Sequence, residues 1–349
     1  MKVAVVTSSP PLAEGGHLVI ARSVVDALRQ AGHDAGLIVT PQNRFGRQAS
    51  AYLANWLTDV GVAHDGSRID HVISFRYPSY AVRHPRHVVW LNHRMREYYD
   101  LWDRFHATLS WKARIKERLR RAAIRRVDTH LLTRRVTRVF AQSATIQRRL
   151  QRFGNIPSEV LYPPAPPRPY RCDGYGPEIF AVSRLTPLKR IDLLVRALAE
   201  PAAAAVRCTI AGDGEEAARI KHLLRDHGLE SRVTLLGAVD AATLVSHLAS
   251  CRAVVFPAYE EDYGLVTVEA FASGKAVVTC RDSGGPAELV RDGESGFVCE
   301  PTPASLAEAL ARLAGDRGLA ERLGAGAAAA SAEIAWPNTI ARLLLQDAR

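Results

Sequence analysis

Phe256-Pro-Ala-Tyr-Glu-Glu-Asp-Tyr-Gly-Leu-Val-Thr-Val-Glu-Ala-Phe-Ala-Ser-Gly-Lys-Ala-Val-Val-Thr-Cys-Arg-Asp-Ser-Gly-Gly-Pro-Ala-Glu-Leu-Val290 reads as strand, acidic loop, helix, strand, glycine turn and helix. The apolar run Ala253 to Phe256 is stopped by Pro257. Gly264 then lets the backbone turn into a helix with Leu265, Val268 and Phe271 on its apolar side. Gly274 ends that helix, and Ala276 to Thr279 is the next buried strand. A helix opening at a glycine just beyond a strand end presents unpaired backbone N–H groups and a positive dipole end, which suits phosphate. Glu261 and Glu269, with seven residues between them, bracket the turn. Glu260 is adjacent, so the register of the first glutamate rests on that spacing.

Around this stretch the chain alternates strands and helices in the order a parallel α/β sheet requires. Lys2 to Val6 is a strand, but no G-x-G-x-x-G follows it, which argues against a nicotinamide dehydrogenase. A loop with Gly15-Gly16 leads instead into a helix from about Leu18 to Gln30. Strands follow near Ala35 to Val39, Asp70 to Ser74, His87 to Leu91, Val136 to Ala141 and Glu159 to Tyr162. Arg76 and His93 each lie just past the end of one of these strands, where open sheets place ligands. Pro163 to Pro177 is a stiff, proline-rich crossover. Beyond it, the strand Glu178 to Val182 runs into a loop carrying Arg184 and Lys189. Val206 to Ala211 ends in Gly212-Asp-Gly214, and Val233 to Gly237 is the next strand.

At 349 residues the chain exceeds one typical domain and fits two cores. No apolar run approaches the ~20 residues of a membrane span, and Val3 to Val6 is too short for a signal segment. Five cysteines without a C-x-x-C argue against a disulfide framework and a zinc knuckle. The expectation is a cytoplasmic protein. Its 46 basic against 36 acidic residues, net +10, favour anionic partners. Between Arg104 and Arg138 twelve Lys and Arg face only Glu117 and Asp128. Trp111, Ile115, Leu119 and Ala122 fall on one helical side there, flanked by Lys112, Arg114, Arg118 and Arg121. Two readings fit: a helix lying on the anionic inner face of a membrane, or one packed on its own domain with a solvated basic face. The stretch lacks the interleaved aromatics of a base-stacking surface, so no nucleic-acid partner is expected.

With Ala270-Phe-Ala-Ser-Gly-Lys-Ala-Val277 and Ser283-Gly-Gly-Pro-Ala-Glu288 behind it, Glu261-x7-Glu269 resembles the E-x7-E signature of retaining family 4 glycosyltransferases, the glycosyl transferases group 1. The chain departs from that pattern at Asp262-Tyr263, where the family more often has Gly-Phe. The resemblance implies a GT-B fold, two Rossmann-like domains facing each other across a cleft. On this basis residues 1–162 form the acceptor domain, 163–177 the linker, 178–334 the nucleotide-sugar domain and 335–349 a helix returning to the first domain. The implied reaction moves a hexose from a UDP- or GDP-sugar to a hydroxyl acceptor (a glycan, a lipid-linked or a small molecule), with retention.

Family motifs carry roles onto individual residues. Glu261 would hold the donor sugar and Glu269 the ribose. Arg184 and Lys189, with the amides at Gly264, Leu265 and Val266, would stabilise the departing phosphate, so neither metal nor cofactor is expected. His93 would touch the donor sugar, Gly16 and Gly212 the donor, and the backbone near Gly237 the base. Gly15 and Arg76 fall on the acceptor side. A GT-B phosphorylase and a non-catalytic sugar-nucleotide-binding protein are the alternatives with the same cleft.

Overall fold

The computed structural model describes residues 1–12, 15–43 and 45–345. Its chain divides into two units, Met1–Pro163 joined by the stretch from Trp336, and Pro164–Ala335. Each holds one six-stranded sheet, and all the strand pairs are parallel.

In the first unit the strands are β1 (Lys2–Ser9), β2 (Asp34–Pro41), β3 (His71–Ser74), β4 (His87–Leu91), β5 (Arg138–Ala141) and β6 (Glu159–Val160). They lie in the order β2, β1, β3, β4, β5, β6. The apolar runs are the cause: Val3 to Val6 and Val88 to Leu91 are almost wholly buried, as strands covered on both faces must be. Helices α1 (Gly16–Gln30), α2 (Gln48–Leu57), α3 (Trp102–Ala107), α4 (Trp111–Arg134) and α5 (Ala144–Arg152) supply the cover.

Helix α4 turns its two acidic residues inward. Asp128 is fully buried and accepts hydrogen bonds from the hydroxyls of Tyr52, Tyr80 and Tyr99, the last two at 2.6 Å. Glu117 accepts from Tyr98 and from Arg120 at 2.7 Å. Burial pushes the Asp128 carboxyl up, and Arg94 with the three hydroxyls pulls it back. With Ile124, Leu131 and Leu132 also on the buried side, Trp111, Ile115 and Leu119 stand 55–70% exposed. The expected flank of cations needs correction. Arg114 donates to the carbonyls of His106 and Ala107, while Arg121 donates to the Tyr98 carbonyl and lies 4.5 Å from the Trp102 ring. Lys112 and Arg118 remain exposed beside the stripe, with Lys116.

The second unit has β7 (Glu178–Val182), β8 (Arg207–Ala211), β9 (Val233–Gly237), β10 (Ala253–Val255), β11 (Val277–Cys280) and β12 (Gly296–Cys299), ordered β12, β11, β10, β7, β8, β9. Its helices are α6 (Ile191–Ala199), α7 (Ala217–Asp226), α8 (Ala241–Ser250), α9 (Leu265–Ala272), α10 (Gly285–Leu289), α11 (Pro303–Gly315) and α12 (Arg317–Glu333). Ile179, Val195, Ile210, Val255, Val278 and Leu310 are among its core residues. The edge strand β12 was not foreseen from its four residues. The last helix, α13 (Trp336–Leu343), belongs to the first unit. Trp336 packs edge-on against Trp90, His71 Nε2 donates to the Leu343 carbonyl at 3.0 Å, and Arg342 pairs with Glu159.

Candidate functional site

Strand order decides where a ligand can sit. In the second unit β10 and β7 are neighbours, and the chain leaves them toward opposite edges of the sheet, the arrangement that in open α/β sheets places ligands at the carboxyl ends of the two strands. The loop after β7 carries Arg184 and Lys189, and the loop after β10 carries Glu261. The two loops are tied by the Tyr259 amide, which donates to the Leu188 carbonyl at 2.7 Å. Residues some 72 positions apart thereby meet: Lys189 Nζ lies 2.5 Å from Glu261 Oε2. Both side chains are about four-fifths buried, and the ammonium sits 5.1 Å from the centre of the Phe256 ring. Arg184 is exposed on the same loop.

Arg190, one residue on, has a different task. Its guanidinium pairs with Asp282 at 2.6 and 2.9 Å and donates to the carbonyls of Pro257 and Ala258. It fixes the loop after β10, leaving Lys189 as the cation beside Glu261.

The glycine turn of the quoted stretch holds the acidic loop in place. Amides of Glu260 and Glu261 donate to the carbonyls of Asp282 and Ser283, and the Gly285 amide returns to the Glu261 carbonyl at 2.9 Å. A Cβ on Gly284 (φ 68°) would stand 2.4 Å from that carbonyl oxygen, so the approach needs glycine. Gly264 (φ 81°) caps α9 in the left-handed region, and a Cβ there would meet Pro286 at 2.5 Å. Among the described residues no acceptor takes the amides of Leu265 and Val266, which open the helix. Gly212 and Gly237 are linked, the amide of the first donating to the carbonyl of the second at 2.7 Å.

Glu269, in the second turn of α9, is 3% exposed. Its Oε1 accepts from the Arg168 guanidinium and from the Tyr170 hydroxyl at 2.9 Å, and Oε2 has no partner among the described residues. Burial pushes the carboxyl up, while Arg168 and Tyr170 pull it back. Sequence reasoning missed both partners. They come from the proline-rich segment about a hundred residues upstream, where no spacing relates them to the helix.

In the first unit Gly15 stands as N-cap of α1, with Gly16 its first residue. His93 follows β4; its Nδ1 donates to the Arg94 carbonyl at 2.7 Å. The loops after β3 and β4 are zipped together through Asn92 to Phe75 and Tyr77 to His93 backbone bonds. Arg76 sits in that zip and is only 9% exposed. The structure thus gathers Arg184, Lys189, Glu261, Gly264 and Glu269 in one unit, and Gly15, Gly16, Arg76 and His93 in the other.

Residues 169–329 match the family model described as glycosyl transferases group 1. A D-inositol 3-phosphate glycosyltransferase of Nocardia farcinica is 36% identical over 178 residues, 48% of this chain and 39% of that protein. This chain therefore spans well under half the length of that relative. The crystal structure of Anabaena Alr3699/HepE in complex with UDP and glucose superposes with a TM-score of 0.72 at 20% identity, covering 97% of both chains. WaaG, a glycosyltransferase involved in lipopolysaccharide biosynthesis, does so at 0.69 and 16% identity, covering 98% of both. The chain has the GT-B fold, and its residues 169–329 match the glycosyl transferases group 1 family.

Proposed function

We propose that this chain is a retaining glycosyltransferase that moves a hexose from a UDP- or GDP-sugar to a hydroxyl acceptor without a metal. The observation that carries the reading is the arrangement at the carboxyl ends of β7 and β10. The amides of Leu265 and Val266, which find no acceptor among the described residues, the Lys189–Glu261 pair and the exposed Arg184 all belong to the loops and helix that meet there. This is a diphosphate site by its chemistry: helix N-terminus, cations and accessible backbone donors. The UDP complexes of the HepE structures support the same class of donor.

In this reading the diphosphate lies on the start of α9, with Lys189 and Arg184 on its oxygens. Glu269 Oε2 accepts from a ribose hydroxyl, and Glu261 holds hydroxyls of the transferred sugar. Charge develops on the departing phosphate as the sugar becomes oxocarbenium-like, and the fixed cations and amides stabilise it there. With retention, the departing phosphate takes the acceptor's proton on the same face, so no enzyme nucleophile is used, unlike the paired-carboxylate route of glycosidases.

A thermal-shift panel of UDP, GDP, ADP and their sugars tests the donor class. The matching nucleotide at about 100 times its Kd should stabilise the protein by roughly 2.7 kcal/mol. Glu269→Gln should weaken binding of that free nucleotide about tenfold to hundredfold, the loss of a charge-assisted hydrogen bond. The variant's melting temperature without ligand is the control, because Arg168 and Tyr170 lose a charged partner as well. Melting that falls while nucleotide affinity holds would make Glu269 a strut and not a ribose ligand. A full panel without response would remove the donor reading itself.

Metal independence has its own check. With two cations and a helix start available to the diphosphate, transfer should continue in excess EDTA at an unchanged rate. Activity abolished by EDTA and restored by Mg²⁺ or Mn²⁺ would contradict this site.

A further inference from the structure

Helix α4 buries its acids, Glu117 and Asp128, against tyrosines, while the large apolar side chains of its first half face solvent: Trp111 68%, Ile115 55% and Leu119 70% exposed. At about 3.6 residues per turn, positions 111, 115, 119, 122, 126, 129 and 133 share one outward side. The first half of that side is therefore apolar. The second half is an open pocket of about 470 Å³, lined by Arg125, Arg126, Thr129, His130, Thr133 and Arg134 with Phe153 and Gly154. No carboxylate is among these lining residues. Arg126 and Arg134 are exposed, make no ion pair among the described residues, and Arg125 lies over the rings of Tyr99 and Phe153. No helix of the described chain is long and apolar enough to cross a membrane.

We infer that the outward face of α4 is a docking surface for an anionic bilayer, in which Trp111, Ile115 and Leu119 enter the interface and the Arg125–Arg126–Arg134 pocket takes a lipid headgroup phosphate. Charge complementarity selects the occupant. Three guanidiniums on one acid-free face select an anion, and a guanidinium fork meets phosphate oxygens two at a time. An apolar stripe on the same helix side, with Lys112, Lys116 and Arg118 around it, requires that anion to be attached to something apolar. A phospholipid surface offers both at once. The surface stands independently of the transfer reaction; it would bring the enzyme to a lipid-linked acceptor if that reaction uses one.

Co-sedimentation of the full chain with vesicles tests it. Phosphatidylcholine vesicles should retain little protein. Vesicles containing phosphatidylglycerol should retain it at low salt and release it as the Debye length shortens. Arg126→Ser with Arg134→Ser should weaken retention about 25-fold, roughly fivefold for each cation near the surface. Trp111→Ser and Leu119→Ser, with charge unchanged, should each cost about tenfold or more. Arg196→Ser with Arg225→Ser, exposed cations on α6 and α7, is the control for bulk charge and should change retention less than threefold. Melting temperatures of all variants should match wild type, since every replaced side chain is exposed.

Indifference of the wild type to anionic vesicles at low salt would overturn the surface. So would equal losses in the two double-arginine variants, or full retention of Trp111→Ser. Inorganic phosphate that displaces the protein from vesicles at matched ionic strength would assign the pocket to a soluble anion instead. Tighter retention of a single-stranded oligonucleotide than of the vesicles would assign the face to nucleic acid.

Discussion

Replacing Lys189 by methionine should lower kcat about 10²–10³-fold, the usual loss when one preorganised donor to developing charge is removed. The melting temperature should stay near wild type, because methionine keeps most of the apolar stem against Phe256. In the free protein the ammonium and the Glu261 carboxylate, 2.5 Å apart and one-fifth exposed, neutralise each other. In the proposed reaction a bound diphosphate would compete for that ammonium, and the competition would strengthen as the leaving phosphate gains charge. Lys189 would then contribute more to the transition state than to the ground state, which places the expected effect on kcat more than on KM. The pair should be coupled: Lys189→Met with Glu261→Gln should cost clearly less than the two single losses combined, since either change alone already removes the contact between them. Arg190→Met should behave differently, lowering the melting temperature because Asp282 and two loop carbonyls lose their donor. Steady-state kinetics with the nucleotide sugar, alongside thermal melts, separate these outcomes. Lys189→Met retaining kcat within about threefold would sink the assignment of this lysine to the leaving group.

The strands were legible because each is a short apolar run closed by glycine, proline or charge, and burial on both faces imposes that pattern on any parallel sheet. The pairing of Lys189 with Glu261 was not legible. Spacing picked the residues, but their contact follows from β10 lying beside β7, which no local pattern records. Arg190 shows the limit: its neighbour in sequence has the same charge, and only the position of Asp282 separates a loop clamp from a site cation. Arg168 and Tyr170 were invisible for a related reason. They act across about a hundred residues, from a segment whose prolines describe stiffness and say nothing of its partners. Strand β12 escaped because Gly296–Cys299 has four residues at a sheet edge, too few for alternation to register. In α4 the helical period was right and its orientation open. Its buried face is set by tyrosines from three other segments, so apolar spacing alone left two sides to choose between.

That tyrosine cluster carries the largest expected effect on stability. Asp128→Ala should destabilise the first unit by about 3–5 kcal/mol, lowering its melting transition by roughly 10 °C. Three hydroxyls now converge on one carboxylate, two on Oδ1 and one on Oδ2, and all four side chains sit in the interior or close to it. Alanine strands these donors without an acceptor, and water has little room to replace it. The Arg94 guanidinium, stacked 3.8 Å from the Tyr99 ring, also loses its nearby negative charge. Asp128→Asn separates geometry from charge. Its Oδ1 can still accept from Tyr52 and Tyr80, and its amide can donate to the Tyr99 hydroxyl oxygen, so its cost should stay under about 2 kcal/mol. Each single Tyr→Phe change removes one donor and leaves the carboxylate satisfied by the others, at about 1 kcal/mol. Because α4 is held by this cluster, the alanine variant should also be retained less by vesicles as its melting transition falls, whereas Asn should keep both near wild type. Calorimetry resolving the two units is the measurement. An Asp128→Ala transition within about 2 °C of wild type would mean that apolar packing by Ile124, Leu131 and Leu132, not the carboxylate, orients the helix.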